Sequence, residues 1–304
     1  MVRPDPASVI HPGPAPAYAS SWVRPSEIER ADGQPPALAK PAFSGRRSRS
    51  RALSLAIRAS VPTLLLLGWW CGSTSGLISS SVLASPAQVG EALVELNSSG
   101  QLASFLQASL GRAGAGVALG VSTGLVLGTA SGLWMLGEEL IDPLMQMVRA
   151  VPFLALVPLL ISWFGIDERF KVVLIATASA FPMYAYSYLG VRGVDRKVVE
   201  AAHGFGLRGL GLLWRVIMPA ALPNLLMALR ICLAISVVGL IAAEQVGTTQ
   251  GIGYLVLLAK QYYRPDYMVL CIFFYAALGL VFDLVIRLLE RYAMPWRRQT
   301  RARR

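Results

Sequence analysis

Several charged residues stand inside long apolar stretches of the chain. Asp283 and Arg287 are four residues apart in one stretch, a spacing that predicts a structural ion pair on a helix. Charged groups at membrane depth are costly to bury and commonly bind a solute, an ion or another charge. The candidates to line the path of a polar solute are Arg112, Arg149, Arg230 and Glu244. The alternative for Arg112 and Arg230 is snorkelling of the guanidinium to the membrane interface. Glu244 is predicted near the outer surface, and the alternative for this residue is simple exposure of its side chain.

Other chemistries find little support in the residue pattern. The three cysteines and two histidines show neither CxxC spacing nor a shared segment, so neither a metal site nor a disulfide framework is predicted. The sequence contains no G-x-x-x-x-G-K-[ST] phosphate loop. We therefore expect no ATPase site, no catalytic residue and no cofactor in this chain.

The composition indicates a membrane protein. Of the 304 residues, 55% are hydrophobic and 15% are charged, and the mean hydropathy is +0.54, whereas soluble domains carry charge on about a quarter of their residues. A net charge of +11 would suggest nucleic-acid binding in a soluble protein. Here the basic residues concentrate at the two ends, so no nucleic-acid partner is predicted.

We predict an all-α membrane protein with three regions. Residues 1–51 are rich in Pro, Ala, Ser and Arg and are expected to form a disordered tail. Residues 52–290 form the transmembrane domain, and residues 291–304 form a basic tail. A helix needs about 20 residues to cross a bilayer. Six segments approach that length, at residues 52–71, 105–134, 147–165, 171–190, 225–246 and 268–289.

The distribution of basic residues predicts the orientation, because Lys and Arg are more frequent on the cytoplasmic side. They cluster in both tails and in the 191–224 loop, and they are sparse in the alternate loops. We therefore expect both termini and the 191–224 loop to be cytoplasmic in a multi-pass protein. The 134–148 loop is placed on the same side although it is acidic, since acidic residues weigh little in this rule.

Two predicted spans carry regularly spaced glycines or prolines. In the second span, glycine at every fourth position lets another backbone approach closely and predicts a packing face, unless glycine is merely common in membrane helices. These glycines are Gly116, Gly120, Gly124, Gly128 and Gly132. In the third span, Pro152 and Pro158 each remove a backbone hydrogen bond. This predicts a bent helix that either lines a pathway or only packs.

The 191–224 loop is too apolar for a solvated connector. Its residues 198–216 predict a short helix, a glycine turn and a second helix that ends before Pro219. Such a segment either lies on the membrane surface or docks a cytoplasmic partner. Glu200 is expected to begin the first helix, where the helix dipole favours a carboxylate. Gly206 is expected in the turn, where its backbone freedom is needed.

This loop resembles a motif of the binding-protein-dependent ABC transporter permeases, E-A-A-x3-G-x9-I-x-L-P. Its matching residues are Glu200, Ala201, Ala202, Gly206 and Pro219, with Val216 and Met218 in place of Ile and Leu. Further segments are similar to the nitrate, sulfonate and taurine branch of that family: LASP at 83–86, SLGR at 109–112, RAVPFLALVPLLISWFG at 149–165, VRGVD at 191–195, AE at 243–244 and GIGY at 251–254. The acidic GEEL at 137–140 departs from the basic residues usual in that branch.

The resemblance implies a type I ABC importer permease fold in the inner membrane, with the loop as the coupling helix that seats in a groove of an ATPase subunit. The implied partners are cytoplasmic ATPase subunits that bind ATP and Mg²⁺, an extracytoplasmic solute-binding protein and a second permease copy. The implied solute is a small anion of the sulfonate, taurine or nitrate class, with a pyrimidine precursor as an alternative. The alternatives from other classes are an ion-gradient-driven secondary transporter and a membrane-anchored scaffold.

Overall fold

The computed structural model describes residues 51–294. The two predicted tails lie outside the described residues, apart from Arg51 and residues 291–294. Within the described part every regular element is helical, which confirms the all-α class. The α-helices are α1 (Arg51–Thr74), α2 (Pro86–Ser98), α3 (Gln101–Leu133), α4 (Met135–Ala150), α5 (Val157–Phe164), α6 (Glu168–Arg192), α7 (Arg196–Gly204), α8 (Gly209–Leu212), α9 (Met218–Glu244), α10 (Ile252–Gln261) and α11 (Pro265–Ala293).

Four helices of the described part are long and apolar enough to cross a membrane. They are α3, α6, α11 and the continuous helix Gly209–Glu244 that contains α9. A fifth crossing results if α4 and the segment Phe153–Phe164, bent by 86° relative to each other, count as one span. α1 occupies the first predicted span and has 24 residues, but it is not among the helices that are both long and apolar enough to cross a membrane. The number of six spans therefore stays a prediction.

α6 packs along both α3 and α9 and lies at the centre of the helices that follow Pro62 in the described part of the chain. The glycines of α3 line its contact with α6. A Cβ built on Gly120 would lie 2.8 Å from Cβ of Ser179, and one on Gly128 would lie 2.8 Å from Cβ of Ser187. Because these distances are too short for carbon atoms, the two backbones approach to a separation that only glycine permits.

The predicted bounds of the third span are wrong. Most of residues 134–148, predicted as a loop, belong to α4. That helix ends at Ala150, and a 3₁₀ turn at Phe153–Leu156 leads into α5. Pro152 lies at the break, whereas Pro158 lies in the first turn of α5, where its missing N–H leaves no bond unmade.

Tertiary contacts explain how the acidic side chains of α4 are accommodated. Glu138, in the GEEL segment, accepts a hydrogen bond from Tyr188 Oη at 2.6 Å and pairs with Arg192. Asp142, one turn later, accepts a hydrogen bond from Tyr184 Oη at 2.9 Å. The acidic face of α4 thus lies against α6, a partner that the local sequence does not indicate.

α2 stands between the first two predicted spans and is tied to the start of α11. Its N-terminus is a capping box, in which Ser85 and Gln88 satisfy each other's backbone amides. Its Glu95 Oε2 lies 2.9 Å from Nη2 of Arg264. The hydrogen bond from Arg264 lowers the pKa of the Glu95 carboxyl from its usual value.

Candidate functional site

α7 forms the first part of the predicted coupling loop. The side chain of Asp195 caps it by accepting a hydrogen bond from the Lys197 amide at 2.9 Å. Glu200 therefore lies in the second turn, and the prediction that it begins the helix is wrong. Glu200 accepts a hydrogen bond from Arg196 Nε at 3.0 Å, with the two side chains 63% and 92% exposed. A pair this exposed is weak, so the carboxylate of Glu200 is available to another partner, as is the exposed Ala201 beside it.

The turn after α7 depends on Gly206. Its φ of +81° lies in the left-handed region that residues with a side chain rarely adopt. Its amide donates to the carbonyl of His203 at 2.9 Å, and the Leu207 amide donates to the carbonyl of Ala202 at 3.1 Å. No atom lies within 4 Å of a Cβ built on Gly206. The requirement for glycine is therefore one of backbone conformation and not of space.

The rest of the loop is continuous with α9. α8, a π-helix at Leu213–Ile217 and α9 follow one another directly, so the prediction of a helix that ends before Pro219 is wrong. Pro219 comes just after the π-helix, inside this continuous helix, where its missing N–H removes one backbone hydrogen bond to the preceding turn. Val216 and Met218 pack against the cluster that also buries Ala202 of α7. α7 and α9 are thus joined through packed side chains.

The outer surface of this loop exposes large apolar side chains. Phe205 is 88% exposed, Leu210 is 74% exposed and Trp214 is 65% exposed. They follow the exposed Arg196–Glu200 pair in the chain. Clustered apolar side chains on a surface are typical of a docking site or a membrane contact.

Arg112 and Glu244 form a buried ion pair between α3 and α9. Nη1 of Arg112 lies 2.7 Å from Oε1 of Glu244, whose side chain is 0% exposed. Glu244 also accepts hydrogen bonds from Ser109 Oγ at 2.7 Å and from the Gly253 amide at 2.8 Å. The alternatives that Glu244 is exposed and that Arg112 snorkels are therefore wrong, because each charge is satisfied inside the protein.

Two further charges complete this cluster. Glu168 at the start of α6 accepts hydrogen bonds from Nε and Nη2 of Arg112 at 2.6 and 2.8 Å, and it pairs with the buried Lys171 at 2.9 Å. Neither Glu168 nor Lys171 is indicated by the sequence motifs. The other members of the cluster could be found from the sequence through the family resemblance. Its SLGR, AE and GIGY segments contain Ser109, Arg112, Glu244 and Gly253. Within residues 51–294 no group of three or more His, Cys, Asp or Glu is placed to hold a metal.

Arg230 of α9 binds carboxylates of α11. Its guanidinium lies 3.7 Å from Asp283 Oδ1 and 3.2 Å from Glu290 Oε1. Asp283 also pairs with Arg287 at 2.7 Å, at the spacing that predicts such a pair. These contacts tie α9 to α11 and occupy the charge of Arg230.

Two neighbouring cavities of about 250 and 360 Å³ open beside α6, and Arg149 borders both. Phe181 and Ala185 are also common to the two. In the first cavity, Tyr184 and Tyr188 stack with ring centroids 6.4 Å apart. The second lies against the break between α4 and α5. Of the four path candidates, only Arg149 borders either cavity.

Comparisons with known proteins identify a family and relatives that are similar over most of the chain. A family model described as a binding-protein-dependent transport system inner membrane component matches residues 116–293. The chain is 38% identical over 237 residues to SsuC of Bacillus subtilis (strain 168), named as an aliphatic sulfonates transport permease, with 78% of this chain and 86% of that protein covered. It is 35% identical over 251 residues to the taurine transport system permease protein TauC of Escherichia coli (strain K12), with 80% and 91% covered.

A solved structure extends the comparison to the fold. The crystal structure of an amino acid ABC transporter with histidines aligns with a TM-score of 0.54 at 20% identity, over 66% of this chain and 97% of that one. At this identity the likeness concerns the fold alone.

Proposed function

The chain belongs to the family of binding-protein-dependent transport system inner membrane components, and from that premise we propose how it acts as the permease subunit of an ABC importer. A cytoplasmic ATPase subunit binds ATP and Mg²⁺, the chain itself hydrolyses no ATP, and an extracytoplasmic solute-binding protein delivers the solute. Both termini and the coupling loop lie on the cytoplasmic side of the inner membrane. The concentration of basic residues in the tails and the 191–224 loop supports this orientation.

The observation that carries this proposal is the continuity between the coupling loop and α9. An ATPase subunit that holds α7 through Glu200 and the apolar side chains nearby also moves α8 and the start of α9, since these elements are packed together. α9 in turn packs along α6, which borders both cavities. Docking at the loop is thereby converted into movement of the helices beside the solute path.

We further propose that two copies of the chain enclose the path. α3 and α6 are in backbone contact along five glycines, which leaves no space for a solute between them. The cavities lie on the other side of α6, toward α4 and α5, and are open. A second permease facing them would close the path, and a two-fold pair is the commonest arrangement of identical subunits.

The solute proposed is a small anion of the sulfonate, taurine or nitrate class. Support comes from the names of SsuC and TauC, which are similar to this chain over most of its length. The ion-gradient alternative loses its main support, because Arg112, Glu244 and Arg230 are engaged in ion pairs and do not border the cavities.

The partner proposal predicts the composition of the purified complex. Expressed with the ATPase and solute-binding protein of the same transport system, the chain should purify in detergent with two permeases and two ATPases, as measured by mass photometry or native mass spectrometry. ATP hydrolysis should require the ATPase subunit. Robust hydrolysis or solute uptake by the permease purified without it would contradict the proposal.

Substitutions in the coupling loop test the docking role. We expect Glu200→Ala and Gly206→Val to lower ATPase copurification and solute uptake together, by about five- to a hundredfold, the usual scale of coupling between sites. Glu200→Ala removes an exposed carboxylate. Gly206→Val places a branched side chain at a backbone φ of +81°, which valine rarely adopts. The amount of permease in the membrane should stay near normal, since both positions are exposed and neither belongs to the core.

The matched control for the turn is Gly204→Val. Gly204 also has no atom within 4 Å of a built Cβ, but it lies in α7 without a positive φ. It should therefore keep most of the uptake that Gly206→Val loses. Normal uptake and normal ATPase copurification in both Glu200→Ala and Gly206→Val would show that the loop is only a surface helix.

A further inference from the structure

Arg149 differs from the other charged path candidates in having no side-chain partner among residues 51–294. Arg112 and Glu244 bind each other, and Arg230 binds two carboxylates of α11. Among residues 51–294 the side chain of Arg149 takes part in no ion pair and no hydrogen bond, and it is exposed into the space between the two cavities. A guanidinium left without a carboxylate in a membrane protein is available to bind an anion.

Arg149, in the last turn of α4, lies beside the second half of α6. The cavity residues on α6 run from Ala178, near the middle of Glu168–Arg192, to Leu189, near its end. Since α6 is long enough to cross the bilayer, its middle lies near the centre of the hydrocarbon. Charged residues within the membrane face a cavity or a partner, and broken helices there are common beside solute sites. The break between α4 and α5 begins two residues after Arg149.

We propose that the two cavities form one transit site for an organic sulfonate, with Arg149 binding the sulfonate oxygens. The inference rests on the importer function proposed above and deepens it. The planar guanidinium presents paired N–H donors to two oxygens of one anion. Phe181, Pro152 and Ile235 give the same space an apolar wall for the alkyl part of the solute. The combination of one cation with apolar walls favours an alkanesulfonate over a fully polar anion.

The one acidic group that lines either cavity is Asp142, which borders the first cavity and not the second. Asp142 lies seven residues before Arg149, about 10 Å along the helix. Its Oδ1 accepts a hydrogen bond from Tyr184 Oη at 2.9 Å and its Oδ2 accepts one from Gln146 Nε2 at 2.6 Å. These two donors are neutral side chains of the same cavity, and they hold the carboxylate in place. Arg149 is the one charged residue that borders both cavities.

Uptake by the complete complex tests this site. The unaltered permease, its ATPase and its solute-binding protein are reconstituted in proteoliposomes, and initial uptake of labelled taurine and ethanesulfonate is measured over a concentration series. We expect Arg149→Gln to lower uptake by about ten- to a hundredfold, the scale for losing charge-assisted hydrogen bonds. Arg149→Lys, which keeps the charge, should lose much less. The control Arg287→Gln, which removes an exposed charge paired with Asp283, should stay within twofold of the unaltered complex.

A labelling experiment separates solute contact from a structural role. In a Cys71→Ser background, which removes the exposed native thiol, Ala185→Cys, which borders both cavities and keeps Arg149 in place, should react with a sulfonate-bearing methanethiosulfonate. An excess of taurine or ethanesulfonate should slow this reaction at least threefold. Unchanged labelling, or uptake within twofold in Arg149→Gln, would overturn the site while leaving the importer function intact. Failure of the unaltered complex to import either sulfonate would overturn both the solute class and the site.

Discussion

Gly124→Leu is expected to abolish the accumulation of folded permease. A Cβ built on Gly124 would meet the carbonyl oxygen of Ala180 and would lie 2.9 Å from Cβ of Met183. The first of these is a backbone atom that no rotamer change can move aside. Relief requires α3 and α6 to separate along their longest shared contact, at a cost of more than about 3 kcal/mol, the upper part of the usual range for overpacking. Size-exclusion profiles of a fluorescent fusion in detergent would measure the loss.

The matched control lies on the same helix. A Cβ built on Gly114 would have no atom within 4 Å, and the residue is exposed on the surface of the helix. Because leucine is a better helix former than glycine by about 0.8 kcal/mol, Gly114→Leu should give a normal amount of monodisperse permease. Equal yields of the two variants would show that the close approach of α3 to α6 is not needed for folding.

The second large effect is expected from breaking the buried ion pair. Glu244→Ala leaves the guanidinium of Arg112 with Glu168 as its sole carboxylate, and it removes the acceptor of Ser109 Oγ and of the Gly253 amide. Removing one partner of a buried pair commonly costs about 3–5 kcal/mol, which is a large part of the total stability of a typical protein. The apparent melting temperature of the detergent-solubilised permease should therefore fall sharply, with lower yield.

A double variant separates an uncompensated charge from a general loss of packing. Arg112→Met combined with Glu244→Leu removes both charges, so it should be more stable than Glu244→Ala alone. Arg287→Gln, which removes a guanidinium that is 71% exposed, should change stability by less than about 1 kcal/mol. A Glu244→Ala variant as stable as Arg287→Gln would mean that water reaches the Arg112 guanidinium, contrary to the burial of the cluster.

Local patterns in the sequence determined the class of the protein and much of its architecture. Apolar length, the glycine at every fourth residue and the E-A-A-x3-G motif depend on residues close together in the chain. They locate α3, α6, α9 and α11, the α3 packing face and the loop proposed to dock the ATPase. The local patterns were insufficient for α4, whose acidic face is satisfied by Tyr184, Tyr188 and Arg192 on α6.

Only the tertiary structure decided the roles of the charged residues. Arg112, Arg149, Arg230 and Glu244 look alike in sequence, since each is a charge in an apolar stretch. Arg112 and Glu244 meet across 132 positions of the chain, and Arg230 meets Glu290 across 60. Which charges become neutralised depends on how the helices pack, because an ion pair requires an approach of a few ångströms that no local spacing specifies. Packing paired three of the four with opposite charges and left Arg149 facing the cavities.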